Sequence, residues 1–141
     1  MKKSFSLLLL YICIATATYA QKVNVPAAVT KSFNEKFPGA TDVKWEKENS
    51  KELEANFKWN NSKVSANFGL DGTWKETETT INATELPAPV TKAINSKYPG
   101  AALSTCEKIE KPGGIQQYEV NIKVNGKKKE LEMNPDGSVA K

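Results

Sequence analysis

Two stretches of the chain carry apolar residues at intervals of four. Val29, Phe33 and Phe37 make one stripe, and Val90, Ile94 and Tyr98 make the other. A spacing of i, i+4, i+8 predicts a helix with one apolar face. Pro26 and Pro87 stand where each helix would begin, a position at which the missing N–H costs nothing. Pro38-Gly39 and Pro99-Gly100 end the pattern, since proline cannot continue a helix and glycine takes a tight turn. A stripe of this kind serves as a partner-binding face or, more commonly, as the face laid on a sheet.

Strands to supply that sheet follow each helix. Leu53, Ala55, Phe57 and Trp59 alternate with Glu54, Asn56 and Lys58, and Tyr118, Val120, Ile122 and Val124 alternate with Glu119, Asn121 and Lys123. Alternation sends the two sets to opposite faces. Asn60-Asn61, Asp71-Gly72 and Asn125-Gly126 suit the positive φ of two-residue hairpin loops, and Asn134-Pro135-Asp136-Gly137 is a proline-initiated turn.

The two halves are copies of each other. Val25 to Ala40 returns as Leu86 to Ala101 at an offset of 61 residues, and Glu54 to Lys58 returns as Glu119 to Lys123 at an offset of 65. The four extra residues are placed at Lys111-Pro112-Gly113-Gly114 and read as a longer hairpin loop. The expected architecture is α+β: two tandem repeats, residues 24–81 and 86–141, each one helix followed by an antiparallel meander of three or four strands. One module of about 60 residues buries too little surface to be stable alone. The two are expected to pack as one unit, helices on one sheet face, joined by the polar segment Thr77 to Glu85.

Residues 1–20 stand apart. Met1-Lys2-Lys3, an apolar run from Phe5 to Ile14, and a small-residue ending through Ala20 have the layout of a cleavable secretory signal. The run is shorter than the roughly 20 apolar residues of a spanning helix, which sets the rival reading of an uncleaved anchor behind. A lipoprotein reading would need Cys13 to be acylated, but Leu10-Tyr11-Ile12 lacks the small residues that such processing wants. The expected location is periplasmic or secreted, with no stable membrane insertion after cleavage. Removal of Lys2 and Lys3 takes the net charge from +4 to +2 and leaves Cys106 as the sole cysteine. It then forms no internal disulfide. A small buried hydrophobe is the favoured reading of Cys106, over a reactive thiol or an intermolecular bridge.

The helix, Pro-Gly-Ala and strand arrangement carries a resemblance. Phe37-Pro38-Gly39-Ala40 followed by Val43-Lys44-Trp45-Glu46, and Tyr98-Pro99-Gly100-Ala101 followed by Cys106-Glu107, are similar to the PepSY-like family of exported proteins, grouped by fold with the beta-lactamase inhibitor protein. The likeness covers residues 24–141. It implies a binding or inhibitory module outside the cytoplasm, holding a hydrolase in check or sensing envelope conditions. The beta-lactamase inhibitor protein has a disulfide in each repeat and an acidic group in the loop that plugs its enzyme. The single mature cysteine and the Asn60-Asn61-Ser62 turn offer neither, so beta-lactamase inhibition is not carried over.

Chemistry narrows the choice further. The chain has no histidine, which removes the ordinary Ser-His and Cys-His pairs and any imidazole for zinc. All 20 basic residues are lysine, so the bidentate fork that reads guanine and grips phosphate is missing, and nucleic acid is not an expected partner. Glu46, Glu48, Glu52, Glu54, Glu130 and Glu132 alternate with lysines on strands, where cross-strand ion pairing is the simplest account. A single acid in each Asp-Gly turn falls far short of the roughly 6–8 oxygens calcium takes. No catalytic residue, metal site or cofactor is expected, and the chain reads as a non-enzyme.

The candidate binding residues are Trp74, Trp59 and the Asn60-Asn61 turn, because aromatic anchors dominate interfaces. Trp45 and Trp59 also fit the apolar phase of their strands, which favours core packing. Trp74 sits among Lys75, Glu76 and Glu78, as a residue of an edge strand would. Two functions follow: a protein-binding or inhibitory module acting on an exported enzyme, or a sensor or carrier of a small ligand or ion in the cleft between the modules.

Overall fold

The computed structural model describes residues 23–140. The signal-like segment and Cys13 lie outside the described residues. Helix α1 (Ala27–Lys36) is followed by four strands, β1 (Thr41–Lys47), β2 (Glu52–Trp59), β3 (Ser62–Gly69) and β4 (Trp74–Ile81). A single 3-10 turn, Ala83–Glu85, leads to α2 (Ala88–Lys97) and the strands β5 (Ala102–Lys111), β6 (Ile115–Val124) and β7 (Lys127–Met133). The strands form one seven-stranded antiparallel sheet in sequential order from β1 to β7. No helix among the described residues is long and apolar enough to cross a membrane.

Local chemistry sets the joints. Pro26 and Pro87 precede the helices, and both helices end on a Pro-Gly pair whose glycine takes positive φ. Asn60 and Asn61 at φ 49° and 66°, and Asn125 and Gly126 at 49° and 77°, hold the tight hairpins joining β2 to β3 and β6 to β7. The Ala83–Glu85 turn carries a capping box, the Glu85 carboxylate accepting from the Asn82 backbone N–H at 2.7 Å.

The extra residues of the second half do not make a longer loop. Pro112–Gly114 form a three-residue turn, against the four residues that join β1 to β2, and β5 and β6 run 10 residues each where β1 and β2 run 7 and 8. The insertion extends the ladder, because two strands already in register gain backbone hydrogen bonds by lengthening together. Strand β4 is not an edge strand. It lies between β3 and β5 at the centre of the sheet, so Trp74 is not on an edge strand.

Two apolar clusters sit against the sheet and share no residue. The first joins Val29, Phe33 and Phe37 of α1 and its C-cap to Leu53, Ala55, Phe57, Val64, Ala66 and Phe68. Phe33 is its hub, with ring centroids 4.9 Å from Phe57, 5.3 Å from Trp45 and 5.5 Å from Phe37, in edge-on or tilted geometry. The second cluster is mainly aliphatic. Val90 and Ile94 of α2 meet Leu86, Cys106, Tyr118, Val120, Ile122 and Met133.

The two Asp-Gly turns reach back to the helices. Asp71 accepts from the Thr73 backbone N–H and hydroxyl, and Asp136 from those of Ser138, each contact 2.6–2.9 Å. These bonds hold both carboxyls below their ordinary range. Each adjacent glycine faces a helix so closely that a methyl group would collide with backbone. A Cβ on Gly72 would lie 2.7 Å from the Ala28 carbonyl oxygen, and one on Gly137 would lie 2.5 Å from that of Pro89. Both glycines also have positive φ, +87° and +85°.

Gly72→Ala and Gly137→Ala are therefore expected to cost about 2–4 kcal/mol each, from strain and collision together. Gly39→Ala, at φ +80° with nothing within 4 Å, should cost only about 1 kcal/mol. Urea unfolding of the three variants checks the order, and equal losses would remove the close approach as the cause.

Candidate functional site

A strand that commits alternate residues to a core must send the others to the opposite face. Here that face carries Asn56, Lys58, Lys63, Ser65, Glu76, Glu78, Glu107, Lys111, Glu119 and Glu132, and the register arranges them in rows. Ser65 stands opposite Glu78, and Glu78 opposite Ile109. In the adjoining row Thr80, Glu107, Glu119 and Glu132 face one another in succession from β4 to β7. Like charges directly opposite are unfavourable. Neighbouring donors offset part of the cost. Ser65 Oγ donates to Glu78 Oε2 at 3.2 Å, Thr80 Oγ1 to Glu107 Oε1 at 3.4 Å, and Asn121 Nδ2 to Glu119 Oε1 at 2.8 Å.

Lys111, two residues beyond Ile109 on β5, is the cation that reaches this row. Its ammonium donates to Gln117 Oε1 at 2.7 Å and Glu132 Oε1 at 2.8 Å, with Glu76 at 3.7 Å. Burial alone would lower its pKa. The hydrogen bond to Glu132 and the charges of Glu132 and Glu76 outweigh that and hold it above the ordinary lysine range. At the other side of the face Lys58 pairs with Asp42 at 2.8 Å, which raises the lysine and lowers the acid. An open groove of about 910 Å³ lies over the first five strands, lined by Lys44, Lys58, Lys63, Glu78 and Glu107 among others.

Glu78 is the perturbed group of the face. Half-burial pushes its carboxyl up to about 7, with the charges of Glu107, Glu76 and Glu119 adding to the rise and the Ser65 hydroxyl opposing it. Glu119 is raised for the same first reason, burial, and then by Glu130, Glu107 and Glu132. A carboxyl near neutrality can move protons. The geometry gives it a serine hydroxyl that donates to it, but the chain holds no imidazole to orient the pair. Among the described residues no three His, Cys, Asp or Glu side chains come together as a metal-ligand set.

The residues singled out from sequence lie elsewhere and are not all brought together. Asn60 and Asn61 are exposed at the tip of the β2–β3 hairpin. Trp59, at its base, is half-buried: its indole N–H donates to the Pro38 carbonyl at 3.0 Å and its ring packs edge-on against Phe37 at 5.3 Å. Trp74 begins β4, opposite Phe68 at the far end of β3, about 20 Å away along the strands. There the Lys36 ammonium sits 3.5 Å above its ring and its N–H donates to Thr77 Oγ1 at 2.9 Å. The row Glu107, Glu119 and Glu132 has no counterpart in the local sequence pattern, because it forms only across strands. Of the six glutamates assigned to cross-strand ion pairs, only Glu132 takes a lysine among the described residues, and Glu46 stands opposite Glu54.

Cys106 is buried in the second cluster. Burial, and then the charge of Glu107, push its thiol up.

The comparisons with known proteins place this geometry in a family. The sequence profile described as "Putative beta-lactamase-inhibitor-like, PepSY-like" matches residues 51–141, and the chain belongs to that PepSY-like family. Solved structures with the same fold include proteins from Bacteroides species. A DUF2874 family protein from Bacteroides ovatus is 23% identical with a TM-score of 0.74, over 84% of this chain and 86% of that one. A protein from Bacteroides eggerthii described as "putative periplasmic" is 19% identical with a TM-score of 0.74, over 84% and 88%. A BLIP-like protein from Bacteroides fragilis is 23% identical with a TM-score of 0.71, over 84% and 85%. At these identities the likeness establishes the fold. No curated protein matches the chain.

Two outcomes follow. In the native protein the Cys106 thiol should react with Ellman's reagent at least about a hundredfold more slowly than in urea, since only opened molecules expose it. Comparable rates would place the thiol at the surface. For Glu78, the folded value lies above the unfolded 4.5, so its stabilising contribution is complete below pH 4.5 and is lost as pH rises through 7. The lowered carboxyls of Asp42, Asp71 and Asp136 act in the opposite sense and at lower pH, below their ordinary 3.8. Melting temperature should therefore fall by a few degrees between pH 5 and pH 8, about 1 kcal/mol after discounting for solvent screening, and Glu78→Gln should flatten the fall. An identical slope in that variant would exclude Glu78 as its source.

Proposed function

We propose that this chain is an exported, non-catalytic module that binds another protein, inhibitory toward an envelope or secreted enzyme. The observation that carries the reading is the broad open sheet face of a beta-lactamase-inhibitor-like family member, lined by side chains that meet one another rather than a reaction centre. On this reading the two halves are tandem repeats, residues 24–81 and 86–141, with both helices packed on one sheet face. The equivalent placement of Gly72 and Gly137 against α1 and α2 supports it. Export is supported by the signal-like start and by the "putative periplasmic" description of a structural neighbour. Beta-lactamase itself is not the proposed target.

Trp74, Trp59 and the Asn60-Asn61 turn are the proposed anchors. Trp74 and Trp59 pack beside α1 on the helix-bearing side of the sheet and the turn projects from its end, so a partner using these anchors would approach on that side, apart from the groove on the other face.

The test is recovery of partners on the tagged, secreted protein from the native cell envelope, followed by affinity measurement with the purified candidate. One reproducible exported protein is expected, with affinity reduced about tenfold or more by Trp74→Ala or by replacing Asn60 and Asn61 with alanine, in variants whose circular dichroism is unchanged. Unchanged affinity in both would overturn those anchors. Absence of any partner, together with a rise in melting temperature on adding envelope metabolites or divalent ions, would replace the protein-binding reading with a small-ligand sensor.

A further inference from the structure

The two apolar clusters share no residue, and the boundary between them runs along one seam of the sheet, β4 against β5. Five rungs are paired there, from Thr77–Glu110 to Ile81–Cys106. The face with the clusters places Thr77, Thr79, Lys108 and Glu110 at the seam, polar residues where each half elsewhere has its core; only the last rung, Ile81 against Cys106, is apolar and belongs to the second cluster. Beyond that rung the halves are joined at this line by backbone hydrogen bonds and the polar contacts Thr80–Glu107 and Lys111–Glu76 rather than by a shared core. On the opposite face the seam brings carboxylates together. Glu78 on β4 and Glu107 on β5 are diagonal neighbours and both line the same groove.

We propose that the β4–β5 seam is a proton-sensitive joint, tightened when the Glu78 carboxyl holds a proton and loosened when it gives the proton up. The groups around Glu78 account for this. On β3 it faces Ser65, flanked by Lys63 and Asn67, and on its own strand Glu76 and Thr80 lie on either side. Across the seam it faces the buried side chain of Ile109, with Glu107 and Lys111 to either side, and Glu119 and Glu132 continue the row on β6 and β7. Further off on β2 are Glu54 and Lys58. Lys111, the nearest cation beyond the seam, is already engaged by Glu132, Gln117 and Glu76. Ionised Glu78 thus adds a charge beside Glu107 and over an apolar side chain. Protonated, it presents an O–H donor to the oxygens around it and removes that repulsion. Burial and the same neighbours raise the carboxyl into the range where envelope pH would change its state. The inference is independent of the protein-binding reading.

Amide hydrogen exchange in the processed, purified protein at pH 6 and pH 8 tests it, with the intrinsic pH dependence of exchange removed. Opening the seam wets Glu78 and restores its ordinary acidity, so opening is linked to proton release. Protection of the amides that bridge β4 and β5 should fall on the order of tenfold from pH 6 to pH 8, while those bridging β2 and β3 hold theirs. Glu78→Gln should abolish the fall and Glu107→Gln should reduce it. Constant seam protection, an equal loss at β2–β3, or a loss that survives Glu78→Gln overturns the proposal. If that variant does not fold, a side-chain carbon titration of wild-type Glu78 decides: a midpoint near neutrality supports the joint, and one below 5 overturns it.

Discussion

A β-strand has a side-chain period of two, and that constraint organises this molecule. Each helix lays an apolar stripe, Val29 and Phe33 or Val90 and Ile94, against alternate strand residues. Burying that stripe and its partners contributes about 1.5–3 kcal/mol for each large side chain, so the register is held firmly. The intervening residues then have no choice of face. Glu78, Glu107, Glu119 and Glu132 share the open face because Thr77, Cys106, Val120 and Met133 are buried on the other side. The perturbed carboxyls of the open face are thus a consequence of the core.

The two halves meet that constraint with different materials. The first surrounds Phe33 with rings, and three tryptophans seal its margin. The second is mainly aliphatic and includes Cys106 as a small hydrophobe. In both, an Asp-Gly turn touches the first turns of the helix with no room for a side chain. That contact ties the last hairpin of each half to its helix, and it gives the Asp-Gly pairs a structural reason that no metal site is needed to explain.

Trp59 and Trp45 support Phe37 and Phe33, and Trp74 is clamped beneath Lys36 at mid-sheet. Their rings are only partly covered, which leaves them available to a partner while making them costly to remove. The face that the family resemblance leads one to inspect is polar and bears charge of both signs, with Lys44, Lys58 and Lys63 toward one side and carboxylates toward the other. A partner for such a face is selected by its own pattern of charge more than by apolar contact.

Much of this was legible in the chain alone, because helix stripes, strand alternation and turn residues act over a few neighbours. Val29, Phe33 and Phe37, Leu53 to Trp59, and the Asn60-Asn61 and Asn125-Gly126 turns needed only local spacing to be read. Family membership was legible too, since it rests on Pro-Gly-Ala junctions that recur in order. What the tertiary structure decided were relations across strands: β4 at the centre, the insertion absorbed into β5 and β6, and Glu107, Glu119 and Glu132 in one row. Each of these depends on which strand lies beside which and in what register. Hydrogen bonds between residues some 12 to 33 apart set that register, and no local pattern around Glu78 or Glu107 announces it.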